Sequence, residues 1–304
     1  MLTVTRMDLD GPTSPSALVT KILKAEPSLT APIPIEDLAR QLDIVEIRDL
    51  TTDGFVGGLI TDASRSEGFI LVKRDMIDER RRFTIGHELG HFLMVHHKPN
   101  DSRFLCTAED MVRQAVRREQ LPPAQRWEVE ANEFASLILM PPPLWRKATA
   151  AYRHPDLGQI AALRRIFKVS NDAAARTYAT YHDETVAVAV VKDDVLQRVY
   201  RNTTRFPFLV LGKGEPIPRA SIYHRAEKAV GKPSDVVEAK AEFWLNSDWG
   251  QRLPELYEQV LFRRDGYAFI LLWVEKAETP DDHDPEEDRT SKQRLADRQA
   301  RYSR

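Results

Sequence analysis

The sequence predicts an α+β protein in which a mixed region of helices and strands is followed by a helix-turn-helix-like extension and a mostly antiparallel C-terminal β domain. Two observations predict this class. Before position 183, apolar residues mostly recur at helical spacing, in segments bounded by capping residues and prolines. From position 184 onward they alternate or form short runs, and Asp, Gly and Pro separate these runs.

The segments up to position 143 are expected to alternate between helices and short strands. The pattern predicts helices over 14–27, 33–44, 78–97 and 126–140, with one more near 108–119, and strands over 44–50, 54–61 and 68–73. The helix over 78–97 carries a broad apolar face, which predicts that much of it is buried. Three consecutive prolines at 141–143 end the last helix of this region.

The second half of the chain changes character near position 183. Residues 156–182 are predicted to form two helices joined by a tight turn, with Ser170 as the N-cap of the second helix. That arrangement suits a helix-turn-helix. We therefore expect a first domain over 1–150, the extension over 151–183, a β-rich domain over 184–276 and a charged, disordered tail over 277–304.

Composition excludes several classes of protein. The chain has 304 residues, enough for two domains, and its 42% hydrophobic and 30% charged residues are ordinary for globular proteins. A net charge of −2 gives no general attraction to nucleic acid. The single cysteine, Cys106, excludes an intrachain disulfide, and we find neither a signal peptide nor an apolar run long enough to span a bilayer. We therefore expect a cytoplasmic protein with no membrane partner.

The stretch HELGHFLMVHH at 87–97 carries the strongest chemical signal. His87 and His91 are four residues apart, so on a helix their imidazoles lie on one face, with Glu88 beside them. This H-E-x-x-H pattern supplies two zinc ligands and a carboxylate that accepts a proton from a water whose pKa zinc lowers. The alternative is a pair of surface histidines on an amphipathic helix. The apolar surroundings count against it, because unpaired imidazoles are costly to bury.

A catalytic zinc needs a third protein ligand and an open fourth position. His97 follows His91 by six residues, as in the metzincin pattern, but Met94 stands where that pattern has the glycine that turns the chain. If the helix continues, His97 cannot reach the same metal. His96 and His97 are then residues at the helix end, favourable beside the negative end of the helix dipole.

A carboxylate from the helix over 126–140 is the alternative third ligand. The segment WEVEANEF offers Glu128, Glu130 and Glu133. Glu128 and Asn132 share a face, so Glu128 would bind zinc while Asn132 supports a metal ligand by hydrogen bonding. The competing interpretation is an ordinary solvated glutamate, which is weakened because a site with two histidines requires another ligand.

Two motifs at this separation resemble the ImmA/IrrE family of zinc metallopeptidases. They are RRFTIGHELGHFL and, some forty residues later, EVEANEFASLILMPP. The segments IPIEDLARQLDI and DGFVGGLI resemble the lead-in of that family, so the resemblance spans about residues 30 to 145. It implies a zincin-like peptidase domain that binds one Zn²⁺ per chain. The ligands it implies are His87, His91 and Glu128, with Glu88 as the general base.

The resemblance also implies a substrate and a role. Members of the family typically cut a partner transcriptional repressor of the helix-turn-helix type, which relieves repression, for example after stress. Some carry a GAF-like sensory domain, a part that residues 184–276 would play. The alternative function is a non-proteolytic transcriptional regulator with a structural metal site that binds a partner protein or DNA. DNA binding through 157–182 is not favoured, because SNDAAARTY presents no clear set of base-reading side chains.

Two further features are candidate parts of the site. Gly57 and Gly58 lie in a strand that we predict to be the edge strand on which an extended substrate lies, with a bulge or hairpin turn as the alternative. Cys106 lies between the two zinc helices. Its thiolate at the fourth zinc position would keep the enzyme latent, whereas the ordinary alternative is a small buried side chain.

Overall fold

The structure is a computed structural model that describes residues 2–11, 14–98, 103–112, 120–152, 154–246 and 253–275. Most of the helix expected near 108–119 lies outside these residues, and so does the tail expected over 277–304. Among the described helices, none combines the length and the apolar character that crossing a membrane requires.

Seven α-helices and nine β-strands form the described part of the chain. The helices are α1 (Pro15–Ala25), α2 (Ile35–Gln41), α3 (Asp78–Leu93), α4 (Pro123–Leu139), α5 (Pro142–Thr149), α6 (Leu157–Phe167) and α7 (Asn171–Tyr181). The strands are β1 (Ile44–Leu50), β2 (Gly57–Thr61), β3 (Gly68–Lys73), β4 (Arg103–Cys106), β5 (Thr185–Lys192), β6 (Val195–Arg201), β7 (Val237–Ala239), β8 (Leu256–Phe262) and β9 (Tyr267–Val274).

The first sheet has the strand order β1-β3-β2-β4. β1 and β3 run parallel, and the other neighbours run antiparallel. α3 packs against β2 and β3 and also against α4, so it lies in the middle of the N-terminal core. Its apolar residues Ile85, Leu89 and Phe92 are almost completely buried, as the broad apolar face predicts.

Glycines in α3 bring its backbone close to α4. A Cβ atom added at Gly90 would lie 3.1 Å from Cδ1 of Phe134, and one added at Gly86 would lie 3.4 Å from Cα of Ala135. Small residues at a helix crossing permit this approach, because side chains otherwise set the distance between the axes. The crossing places the H-E-x-x-H segment of α3 directly beside the glutamates of α4.

The C-terminal end of α3 differs from the sequence prediction. The helix ends at Leu93, so the prediction that it continues to position 97 was wrong. The cause is Arg65, which is buried. Its guanidinium donates hydrogen bonds to carbonyls of the last turn and of the chain that follows, namely those of His91, Phe92, Met94 and His97. These carbonyls therefore need no further helical amide as a partner.

The second sheet has the strand order β6-β5-β9-β8-β7, and all its neighbours are antiparallel. Alternate residues of β5 belong to two different cores. The helix-facing set is Val186, Val188 and Val190, and the opposite set is Ala187, Ala189 and Val191. Because both faces are buried, this strand is a nearly continuous apolar run. The α+β class with a mostly antiparallel C-terminal sheet is thereby confirmed.

The helix-turn-helix-like extension packs against the second sheet. Ser170 caps α7 as predicted, since its side chain accepts a hydrogen bond of 3.1 Å from the amide of Ala173. α7 packs against α6, β5 and β6, and none of its eleven residues is exposed. One continuous core thus crosses position 183. The division of the chain into domains at 150 and 183 stays a prediction.

The close crossing of α3 and α4 gives a first testable prediction. Gly90→Leu should lower the free energy of unfolding by about 1–3 kcal/mol, because the new side chain must displace Phe134 in a packed core. Urea unfolding followed by circular dichroism measures this. Ala161→Leu, at an exposed position on α6, is the control and should leave stability nearly unchanged. A Gly90→Leu variant as stable as the wild type would contradict the close approach.

Candidate metal centre

Three side chains from α3 and α4 converge on one point. The Nε2 atoms of His87 and His91 are 3.1 Å apart. Oxygens of the Glu128 carboxylate lie 3.2 Å from Nε2 of His87 and 3.4 Å from Nε2 of His91. Ligands held at about 2.0–2.1 Å from a tetrahedral zinc are about 3.3 Å from one another, so the three separations suit that ion.

The burial of this group supports a cation as its partner. His87, Glu88 and His91 are completely buried, and the side chain of Glu128 is only 16% exposed. Oε1 of Glu88 is buried without a hydrogen-bond partner, which is costly unless a positive charge compensates it. Two imidazoles and a carboxylate form a ligand set typical of catalytic zinc. The residues therefore form a potential metal-binding group that fits zinc.

Asn132 supports His87 from the side away from this point. Its Oδ1 lies 2.9 Å from Nδ1 of His87, and its Nδ2 donates a hydrogen bond of 2.6 Å to the carbonyl of Asp110. When Nε2 of His87 presents its lone pair to a metal, Nδ1 carries the proton and donates it to Asn132. Asn132 thus lies within hydrogen-bonding distance of His87, and its support of a metal ligand stays a prediction.

His91 has an equivalent support that the sequence reasoning missed. Its Nδ1 lies 2.9 Å from Nδ1 of His97, and Nε2 of His97 lies 2.9 Å from Oε2 of Glu130. A metal on Nε2 of His91 requires the proton on Nδ1, so His97 accepts there and donates from Nε2 to Glu130. His97 is completely buried and lies beyond the helix, which ends at Leu93, so the prediction that it is a helix-end residue beside the dipole was wrong.

The pKa values of this chain agree with that assignment. Burial lowers the pKa of His91 to about 4 and that of His97 to about 3, so both imidazoles are neutral at pH 7. The hydrogen bond from His97 lowers the pKa of Glu130 to about 2, which keeps it an acceptor. The sequence did contain a signal for the contact between His97 and His91, because His96 and His97 lie one turn beyond the helix that carries His91. His96, His97 and Glu130 also form a second group of ligands within reach of one another.

Glu88 lies beside the ligands. Burial raises the pKa of the Glu88 carboxyl to about 8; the charge on His87 opposes this rise and that on Glu128 adds to it. A bound cation would lower this pKa again. For Glu128, burial alone would raise the pKa, but hydrogen bonds from His87 and His91 outweigh it and hold the pKa below its ordinary value. In the metal-free chain, Glu88 therefore keeps its proton to a higher pH than Glu128 does.

The prediction that Gly57 and Gly58 lie on the edge strand was wrong. β2 pairs with β3 on one side and with β4 on the other, so among the described strands β4 is the outer one at this end of the sheet. The glycines permit close approach instead. A Cβ atom at Gly57 would lie 2.6 Å from Oε1 of Glu88, and one at Gly58 would lie 2.9 Å from the carbonyl of Phe104.

Cys106, the last residue of β4, lies against the ligands. Its Sγ is 3.8 Å from Nε2 of His91 and 3.8 Å from Oε2 of Glu88. One ligand atom from each of His87, His91, Cys106 and Glu128 falls within 4.8 Å of the other three. Burial raises the pKa of the Cys106 thiol well above its ordinary value, whereas a metal ion deprotonates a thiol that coordinates it.

Comparisons with known proteins agree with this geometry. Residues 56–178 match the Peptidase_M78 family, described as the IrrE N-terminal-like domain, and this span contains α3, α4 and the whole ligand group. The solved structure of a Mycobacterium tuberculosis transcriptional regulator is similar to this chain with a TM-score of 0.51 and 14% identity. The similarity covers 86% of this chain and 75% of that one and concerns the fold alone. A search of curated proteins found no match.

The support of His91 by His97 gives a second prediction. His97→Ala should lower the zinc affinity of the metal-free protein by about 10- to 100-fold, because His91 loses the partner that orients its ring and fixes its tautomer. Calorimetric titration with zinc measures the affinity, and circular dichroism checks that the variant is folded. His96→Ala is the matched control, since His96 contacts the same carboxylate from a side chain that is 42% exposed. Equal losses in both variants would argue against the orienting role.

Proposed function

Because residues 56–178 of this chain match the Peptidase_M78 family of IrrE N-terminal-like domains, we propose that the protein is a zinc-dependent endopeptidase. One observation carries the proposal: Glu88 is a buried carboxylate beside a group of three metal ligands. A structural zinc site has no use for an uncoordinated base at this position. A peptidase requires one.

The residues divide the reaction between them. His87 and His91 would hold zinc through Nε2, and Glu128 would hold it through its carboxylate. Zinc, when bound, polarises a peptide carbonyl and lowers the pKa of water. Glu88 accepts a proton from the attacking water and returns that proton to the nitrogen of the leaving amine. Asn132 and His97 keep the two imidazoles in the tautomer that presents Nε2.

We propose a specific regulatory protein as the substrate, namely a helix-turn-helix transcriptional repressor. The resemblance to the ImmA/IrrE family supports this class of substrate. Enclosure of the site supports selectivity, because His87, Glu88 and His91 have no exposed surface and a substrate reaches them only by displacing part of the cover. That requirement favours a partner that binds this protein over an arbitrary peptide.

The alternative function is a transcriptional regulator that cuts nothing and uses its metal structurally. The similarity between the fold of this chain and that of a Mycobacterium tuberculosis transcriptional regulator is the observation that favours this alternative. Reading DNA through α7 is the less favoured form of this alternative. A recognition helix must present a free face to the major groove, whereas every residue of α7 is at least half covered by neighbouring elements.

The general-base role of Glu88 gives a third prediction. Glu88→Gln should lower the cleavage rate by about 10²-fold or more, because the amide cannot accept the proton, while zinc binding is retained. Cleavage is followed on gels, and zinc content is measured by atomic absorption. Glu67→Gln, which changes an exposed residue directly before β3, is the control and should cut normally. Normal cleavage by Glu88→Gln would exclude the peptidase mechanism.

The substrate class gives a fourth prediction. The zinc-loaded protein should cut a helix-turn-helix repressor encoded near its own gene at one bond, and mass mapping of the fragments locates that bond. The Glu88→Gln variant provides the matched negative reaction. Electrophoretic assays with duplex DNA test the alternative in parallel. Sequence-specific binding that weakens steeply with salt, without any cleavage, would favour the non-proteolytic regulator.

A further inference from the structure

The place of Cys106 is fixed by backbone pairing. Cys106 is opposite Gly57 in the ladder between β2 and β4, and its carbonyl accepts a hydrogen bond of 2.9 Å from the amide of Val56. Side chains alternate along β4: Phe104 and Cys106 are buried, whereas Arg103 and Leu105 are exposed. The thiol therefore faces α3 because of strand geometry.

Phe104 fixes the same strand to the ligands. Its ring stacks on the imidazole of His91 with a centroid separation of 4.5 Å. Since the ring of His91 is itself held by His97, β4 has a defined position relative to the metal-binding group. Cys106 thus approaches this group on a strand anchored at two neighbouring positions.

The position of the sulfur suits the missing corner of a tetrahedron. With bonds of about 2.3 Å to sulfur and about 2.0 Å to nitrogen, the two ligand atoms of a tetrahedral zinc are about 3.6 Å apart. The separation between Sγ of Cys106 and Nε2 of His91 is 3.8 Å. Oε1 of Glu88 is buried without a hydrogen-bond partner, and Oε2 of the same carboxylate lies 3.8 Å from Sγ of Cys106.

We propose that Cys106 is the fourth ligand of the metal held by His87, His91 and Glu128, and that it keeps the resting peptidase latent. The inference rests on the proposed function, because a fourth protein ligand inhibits only a metal site that must keep its fourth position open for catalysis. The S–H bond breaks as the sulfur–metal bond forms, and the proton leaves to the solvent. With sulfur in this corner, water has no place on the metal and Glu88 has no water to activate.

Latency of this kind is reversible by movement of a single strand. Among the described strands, β4 is the outer one at its end of the sheet and has four residues, so displacing it breaks few backbone hydrogen bonds. Withdrawal of Cys106 would open the fourth corner and leave His87, His91 and Glu128 in place on α3 and α4. The same withdrawal would uncover Glu88, whose carboxylate now has the Cys106 thiol on one side.

Cobalt substitution tests the coordination directly and does not depend on activity. Full-length wild-type protein loaded with Co²⁺ should show the visible bands of a four-coordinate site and a near-ultraviolet band from sulfur-to-cobalt charge transfer. Cys106→Ala and Cys106→Ser should bind Co²⁺ but lose the charge-transfer band completely. His87→Ala should lose most of the bound Co²⁺ and serves as the control for the site. In repressor cleavage, Cys106→Ala should be faster than the wild type.

The outcomes separate the two proposals. Wild-type protein that binds Co²⁺ without a charge-transfer band would overturn the role of Cys106 and leave the proposed peptidase intact. Wild-type protein that binds no Co²⁺ or Zn²⁺ would overturn both. A charge-transfer band that persists in both Cys106 variants would also contradict the assignment, since Cys106 is the sole cysteine of the chain.

Discussion

The dominant constraint in this molecule is the complete burial of His87, Glu88 and His91 where α3 crosses α4. Ionisable groups so far from water must be compensated by opposite charge or by hydrogen bonds. The helix that carries each side chain determines the direction in which that side chain finds its compensating partner. Ring nitrogens that face away from the crossing are hydrogen-bonded to protein, whereas the Nε2 atoms face Glu128 and lie within reach of a single metal ion. The potential ligand atoms at the helix crossing therefore all face one point.

Much of the fold serves to hold that point. Glycines on α3 let the two helices approach, and Arg65 ends α3 early enough for the chain to turn back over it. The turn returns His97 to the side of His91, which a helix of the predicted length could not do. On the other side, β4 covers the ligands with Phe104 and Cys106. Local backbone features thus determine which side chains reach the centre.

The sequence predicted the parts of the site that depend on helical spacing. His87, Glu88 and His91 follow from an i, i+4 pattern, and Glu128 and Asn132 from another, so periodicity alone puts each set on one face. The contributions of Arg65 and His97 could not be predicted in this way. Arg65 binds the end of a helix that lies 26 or more positions later in the chain. Its own backbone is in the left-handed region, and that conformation leaves no periodic pattern in the sequence. β4 has too few residues for the sequence pattern to predict that it pairs with β2, which is why Gly57 was assigned to an edge strand.

The contact between His91 and His97 also limits how many metal ions the two neighbouring groups of ligands can hold together. A single proton is shared across the two Nδ1 atoms, and its location sets the charge pattern of both rings. When His91 coordinates, His97 must keep hydrogen on Nε2 and has no lone pair to offer the group that includes His96 and Glu130. Occupation of the two groups is mutually exclusive for neutral imidazoles. This exclusion favours the predicted stoichiometry of one Zn²⁺ per chain, even though seven potential ligands lie close together.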